Sequence, residues 1–178
     1  SASGLNYSVF LFRKQELVRI DTGDYDLTSK IIMVEDDGGT AEAPVRFVAS
    51  PSGVTITQTN PADDLWFIYS PHVSISTAAQ AEGVPENWMT LVGGQSGVLF
   101  NNEGMSLEKL EIRESELYGV NAKLRNLTDT FQLENLLIVS SHNSGGAGIR
   151  VDTVADNGVI ENVTVDSAGN GVFLEWGS

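Results

Sequence analysis

The chain contains no cysteine and few basic residues. Disulfides and thiolate metal ligands are therefore excluded, which is compatible with a bacterial exported protein. The 178 residues carry 24 acidic side chains against 10 basic ones, for a formal net charge of −14. Because a nucleic-acid-binding protein needs clustered Lys and Arg to displace counterions, we expect no nucleic-acid partner. No apolar run approaches the ~20 residues of a membrane span, so we expect none.

The residues that are abundant indicate one β-rich domain. Hydrophobic residues make up 41% of the chain, and 18 glycines accompany many Val, Ile, Thr and Asn residues. This composition favours strands and tight turns over helices. Motifs for phosphate loops, dinucleotide binding, paired zinc histidines or a nucleophile elbow do not occur.

An internal repeat dominates the second half of the chain. Three segments align at steps of 26 and 27 residues: Leu107–Ile112, Leu133–Ile138 and Ile160–Val165. Each is followed by a short segment that opens with Gly and a branched residue: Gly119–Ala122, Gly148–Val151 and Gly171–Leu174, with Gly97–Phe100 as an earlier member. Apolar residues alternate within these segments, as in strands with one buried face.

Stacking the repeats predicts columns of like residues. Leu110, Leu136 and Val163 form one such column, and Val120, Ile149 and Val172 form another on an opposing sheet. Because one coil cannot close a core and several stacked coils can, we predict an all-β, right-handed, single-stranded parallel β-helix, a solenoid whose later coils have two strands each. An antiparallel sandwich is the alternative, but it gives no reason for column-wise identity at this period.

The whole chain is predicted to form this single domain. We expect an N-terminal cap over residues 1–16, irregular first coils over 17–76, a lateral loop over 77–90, and regular coils with an open C-terminal end over 91–178. Within the first coils, Gly23–Tyr25 is predicted to form a turn.

Several segments resemble one family. Val18–Leu27 looks like the opening coil of pectate-lyase-like right-handed β-helix proteins, and Gly39–Phe47 followed by Gly53–Ile56 is similar to their second coil. Glu161–Val165 and Asn170–Val172 resemble their later coils. The resemblance covers most of the chain and implies the fold. The family includes lyases, epimerases and glycoside hydrolases of acidic polysaccharides, but also adhesins, phage tail proteins and segments of large surface proteins, so it does not imply one activity.

The chain departs from the enzymes of that family in its length. Those enzymes usually have more coils, with catalytic residues on the middle ones. Since this chain stops at Ser178, in or just after a strand and with no capping segment, we expect an N-terminal portion of a longer protein. Its start at Ser1 without Met is typical of a residual tag or a cut end. The last coil would then expose Gly171–Trp176 as a pairing edge, and we expect self-association through that end.

The outward positions of the second strands supply the candidate site. Alternation places Asn121, Arg150 and Phe173 in one exposed column and Lys123, Asp152 and Glu175 in another, with Arg113 and His142 near them by repeat position. Arg and Lys would neutralise the carboxylate of a uronate sugar while a neighbouring base abstracts the adjacent proton. The alternative is a cross-coil ion pair between Lys123 and Asp152 on a solvated face.

A second candidate is a column of glutamates. Glu108, Glu134 and Glu161 share one repeat position, and stacked like charges are unfavourable unless a cation such as calcium neutralises them. Solvated turn residues are the alternative, and we assign no metal ligand and no other cofactor.

These observations predict a non-catalytic β-helix segment of a large exported or cell-surface bacterial protein, which acts as a scaffold or contacts a glycan or surface. The alternative is a polysaccharide lyase, or a related carbohydrate-active enzyme, that uses Arg150, Lys123 and Asp152 on acidic polysaccharides.

Overall fold

The structure is a computed structural model that describes residues 16–82, 86–124, 126, 128–141, 146–152, 157–166 and 169–175. The predicted cap over residues 1–16 lies outside this range except for Glu16. The strands in the described range are β1 (Leu17–Ile20), β2 (Gly23–Leu27), β3 (Ile31–Met33), β4 (Val45–Ala49), β5 (Val54–Gln58), β6 (Trp66–Ile68), β7 (Val73–Thr77), β8 (Met89–Gly93), β9 (Ser96–Phe100), β10 (Met105–Ser115), β11 (Tyr118–Ala122), β12 (Thr130–Ser141), β13 (Ala147–Asp152), β14 (Asn157–Asp166) and β15 (Asn170–Glu175). A 3-10 helix covers Glu35–Asp37, and the described residues contain no α-helix. The prediction of an all-β chain is confirmed.

In the first half of the chain, each strand pairs in parallel with the strand that comes three strands later. One row is β1–β4–β7, a second is β2–β5–β8 and a third is β3–β6–β9. The third row continues through β11, β13 and β15 into a six-stranded sheet, and the first two rows belong to a nine-stranded sheet. Parallel pairing between all these strands rules out the antiparallel sandwich, and it is compatible with a β-helix or another solenoid.

The strand β10 joins the first two rows. Its residues Ser106–Glu108 pair with β7, and Leu110–Arg113 pair with β8. Between these two stretches lies Lys109, whose φ of 56° is left-handed and bends the strand. The repeats before β10, which the sequence predicted as irregular coils, therefore have three strands each, whereas the later repeats have two.

One prediction for the first coils is wrong, that of a turn at Gly23–Tyr25. This segment was predicted as a turn because of its glycine, yet it begins the strand β2, which pairs with β5. The glycine lies at the first strand position with φ 152°, and its amide N–H donates to the Gly53 carbonyl. A tertiary partner thus overrides the local turn signal.

The predicted columns of the later repeats are confirmed. Leu110 pairs with Leu136 and Leu136 with Val163, while Val120 pairs with Ile149 and Ile149 with Val172. The inward members of the inner repeats are fully buried and form one continuous hydrophobic core with the first strands. Each buried Leu or Ile contributes about 1.5–3 kcal/mol of hydrophobic free energy, so the shared core is the main stabilising term.

A column of glycines lets the two sheets approach closely. Three of its members each face a branched side chain of the nine-stranded sheet: Gly97 faces Ile112, Gly119 faces Ile138 and Gly148 faces Val165. A Cβ atom at these positions would lie 2.3–2.5 Å from the facing methyl group. The Gly-plus-branched pattern of the sequence therefore reflects close packing between sheets rather than a turn.

The strands β14 and β15 lie at the edges of the two sheets. Val172 and Leu174 of β15 are 48% and 56% exposed, whereas their register partners Ile149 and Val151 in β13 are buried. None of the described residues form a helix with the length and apolarity needed to cross a bilayer.

Candidate functional site

Arg150 is the centre of a charged cluster on the outer face of the six-stranded sheet. Its Nη2 lies 3.2 Å from Oδ2 of Asp152 and 2.5 Å from Oε2 of Glu175. Since Asp152 and Glu175 are register partners on β13 and β15, one guanidinium bridges two stacked carboxylates and offsets half of their combined charge. Three of the six predicted site residues are therefore brought together.

The remaining contacts of Arg150 hold its side chain in place. Nη1 donates to the hydroxyl of Tyr118 at 3.2 Å, and the guanidinium carbon lies 5.4 Å from the centre of the Tyr118 ring. Burial opposes the charge of Arg150, but hydrogen bonds with Glu175 and Tyr118 and the charge of Asp152 outweigh it, so its pKa is raised. The group is a permanent cation whose charge is already matched by carboxylates.

The other three predicted site residues do not join this cluster. Lys123 follows β11, and its amide N–H donates to the Phe100 carbonyl. In the described part of the chain, Lys123 makes no ion pair with Asp152, because Asp152 binds Arg150 instead. Arg113 lies on β10 in the other sheet, with Nη2 2.6 Å from Oε1 of Glu111. His142 lies outside the described residues.

The exposed column that contains Arg150 differs from its prediction at Asn121. This residue is the register partner of Arg150 on β11, but only 3% of it is exposed, and its Oδ1 has no hydrogen-bond partner among the residues that the structure describes. The alternation of apolar and polar residues predicted that Asn121 is exposed, because alternation carries no information about which residues cover the outer face of a sheet. Asn121 is therefore inaccessible to a large ligand.

The glutamate column forms as the repeat predicted, since Glu108 pairs with Glu134 and Glu134 with Glu161. Glu134 accepts a hydrogen bond from Gln132, and the charge of Glu108 acts on nearby Lys109. Within the described ranges, no three His, Asp or Glu side chains are grouped so that they could hold a metal ion.

A groove of about 420 Å³ lies on the outer face of the nine-stranded sheet. Its floor is one outward column of register partners, Thr55, Thr90, Glu111 and Leu137. Glu86 and Trp88 from the segment before β8 form a wall. We call these six residues the Trp88 groove.

Hydrogen bonds fix the wall of the Trp88 groove against its floor. The Met89 amide N–H donates to Oγ1 of Thr77, which donates to the Lys109 carbonyl, both at 2.7 Å. The left-handed Lys109 then directs its Nζ to Oε1 of Glu86 at 2.8 Å. Nε1 of Trp88 donates to Oε2 of the same carboxylate at 3.2 Å. The bend in β10 therefore positions the wall.

The floor carries a second organised carboxylate. Oε2 of Glu111 accepts from Oγ1 of Thr90 at 3.3 Å, while Oε1 of Glu111 binds Arg113. Hydrogen bonds from Lys109 and then from Trp88 hold the pKa of Glu86 below its usual value, so that carboxylate is ionised at neutral pH.

Sequence analysis missed the Trp88 groove because its wall and floor are far apart in the chain. The signal that was available is the outward alternation of Thr90 and Glu111, next to a tryptophan in a segment that interrupts the repeat. Their proximity depends on pairing between β8 and β10, which no local pattern specifies.

Comparison of the chain with protein-family models, with curated proteins and with solved structures gave no match. The resemblance to pectate-lyase-like proteins therefore stays a prediction that rests on the segments quoted above.

Proposed function

We propose that the chain is a right-handed parallel β-helix that acts as a non-catalytic segment of a large exported or cell-surface bacterial protein, as a scaffold that contacts a glycan or a surface. The in-register parallel rows support the solenoid, because stacked repeats with one shared core give a rigid, elongated support for side-chain columns. The charge of −14 supports a soluble and exposed setting.

The observation that carries the non-catalytic part is the state of Arg150. A lyase needs a cation free to neutralise a uronate carboxylate and a base beside the proton that is removed. Here Asp152 and Glu175 already neutralise that cation. An acidic sugar would have to displace two carboxylates from the same sheet, so the cluster favours a structural role that offsets repulsion between stacked acids.

Activity assays test this role. We expect the chain to release no unsaturated products from alginate, pectate or chondroitin, with or without calcium. Release of such products, lost in Arg150→Met and retained in Arg113→Met on the other sheet, would establish the lyase alternative and refute the proposal.

The absence of native cysteine allows a direct test of the solenoid. Adjacent strands lie about 4.8 Å apart, within the Cα separation of about 4.4–6.8 Å that a disulfide spans, whereas positions two repeats apart lie beyond it. The register partners Glu108→Cys and Glu134→Cys should therefore cross-link on oxidation, and the matched pair Glu108→Cys and Glu161→Cys should not. Cross-linking of the distant pair alone would contradict the stacking.

A further inference from the structure

The Trp88 groove combines an aromatic wall with a polar floor. Trp88 is partly exposed, and its only polar atom is bonded to Glu86, so the remainder of the indole is an apolar surface fixed in orientation. The face of an aromatic ring is electronegative and attracts C–H groups that carry partial positive charge, such as those on one face of a pyranose. The wall is therefore suited to stacking against a sugar ring.

The floor offers acceptors and hydroxyls at fixed positions. Each oxygen of an ionised carboxylate has two lone pairs, so Glu86 and Glu111 keep acceptor capacity after binding Lys109 and Arg113. The Thr90 hydroxyl lies on the floor beside Glu111. Sugar hydroxyl groups donate and accept, and they match such a set without bringing a charge. Because the side chains are already held by ion pairs, little conformational entropy is lost on binding.

Charge distinguishes a neutral sugar from an acidic one. Lys109 and Arg113, the cations beside the groove, are each paired with a groove carboxylate. A uronate would meet Glu86 and Glu111 as like charges in a protein of net charge −14. The groove volume of about 420 Å³ lies within the range of about 300–1,000 Å³ usual for small-ligand sites.

We propose that the Trp88 groove binds a neutral glycan, with a pyranose ring stacked on Trp88 and its hydroxyl groups bonded to Glu86, Glu111 and Thr90. This inference rests on the proposed glycan-contacting function and names its site and ligand class. It differs from the acidic polysaccharides that the family resemblance implies.

Titration calorimetry of the full chain tests the inference with cellohexaose, mannohexaose and laminarihexaose as neutral probes and hexagalacturonate as the acidic counterpart. We expect at least one neutral probe to bind and the acidic probe to bind more weakly. Trp88→Ala should weaken neutral binding at least about tenfold, a change that corresponds to about 1.4 kcal/mol. Trp88→Phe should retain most of the affinity, because it keeps an aromatic face.

Two further variants separate the groove from general effects. Glu111→Gln keeps the shape of the side chain and should weaken binding by removing charged acceptor capacity. Phe67→Ala removes a half-buried aromatic ring from the other sheet and should leave binding unchanged. Thermal unfolding of every variant confirms that the protein is folded.

The outcomes distinguish the inference from the proposed function. If a glycan binds equally well to the protein and to Trp88→Ala, or if only hexagalacturonate binds, the groove assignment is overturned while a glycan-contacting role stands. If no probe binds, the inference is overturned, and the scaffold role is decided by the activity assays and the cysteine cross-linking described above. Release of unsaturated products from any probe would instead overturn the non-catalytic function.

Discussion

Replacement of Gly119 by alanine should destabilise the protein by a net of about 1–2 kcal/mol. The new Cβ would lie 2.5 Å from Cγ2 of Ile138 and 2.7 Å from the carbonyl oxygen of Gly148. Both distances are well below van der Waals contact, and the carbonyl belongs to the neighbouring strand β13, so it cannot move alone. Such overpacking costs about 1–3 kcal/mol. Alanine restores about 0.4–1 kcal/mol by reducing the conformational entropy of the unfolded chain.

Gly171 provides a matched control for Gly119. It occupies the same column one strand beyond Gly148, yet no atom of the described residues would lie within 4 Å of an added Cβ. Gly171→Ala should therefore be neutral or stabilise the protein by up to about 1 kcal/mol. Urea unfolding followed by circular dichroism measures both effects, and we expect a lower midpoint with an unchanged m-value for Gly119→Ala. Equal midpoints for the two variants would show that the sheets are not packed as closely as the glycine column requires.

Two other predictions concern pH and association. Asp64 is 6% exposed, and burial raises its carboxyl pKa above the usual 3.8 despite the opposing effects of Ser96, Lys30 and Lys123. Between the ordinary pKa of the unfolded state and the raised pKa of the folded state, the folded state binds more protons than the unfolded state. The free energy of unfolding therefore falls as the pH rises through that window. Asp64→Asn should therefore have a higher urea midpoint than the parent chain at pH 7 and lose that advantage below pH 3.8; equal midpoints at pH 7 would contradict this. The edge strand β15 exposes Val172 and Leu174, so light scattering should detect concentration-dependent association of the 178-residue chain. Leu174→Lys should reduce this association. A strict monomer at high concentration would refute the predicted association.

The alternation and spacing of apolar residues were sufficient to predict the later repeats. Leu107, Leu133 and Ile160 carry the same pattern at nearly equal steps, and parallel in-register pairing is the arrangement that gives each of them the same buried environment. Since burial of apolar surface is the dominant favourable term, this signal survives without knowledge of the rest of the molecule.

Three features depended on the tertiary structure. The division of the early repeats into three strands follows from the separate pairing of β1, β2 and β3 with β4, β5 and β6, which the irregular spacing of the early segments did not specify. The partners of Arg150 include Glu175, 25 residues away, and reach it only because β13 and β15 pair. The Trp88 groove likewise joins a wall before β8 to a floor that includes Glu111 of β10.

The sequence by itself determined which apolar residues of the later repeats face inward and how these repeats stack, because alternation and period are local properties of the chain and the hydrophobic effect acts on them directly. The tertiary structure alone decided which polar side chains meet. Hydrogen bonds and ion pairs are short-ranged and directional, so they depend on distances between strands that adjacent residues do not specify.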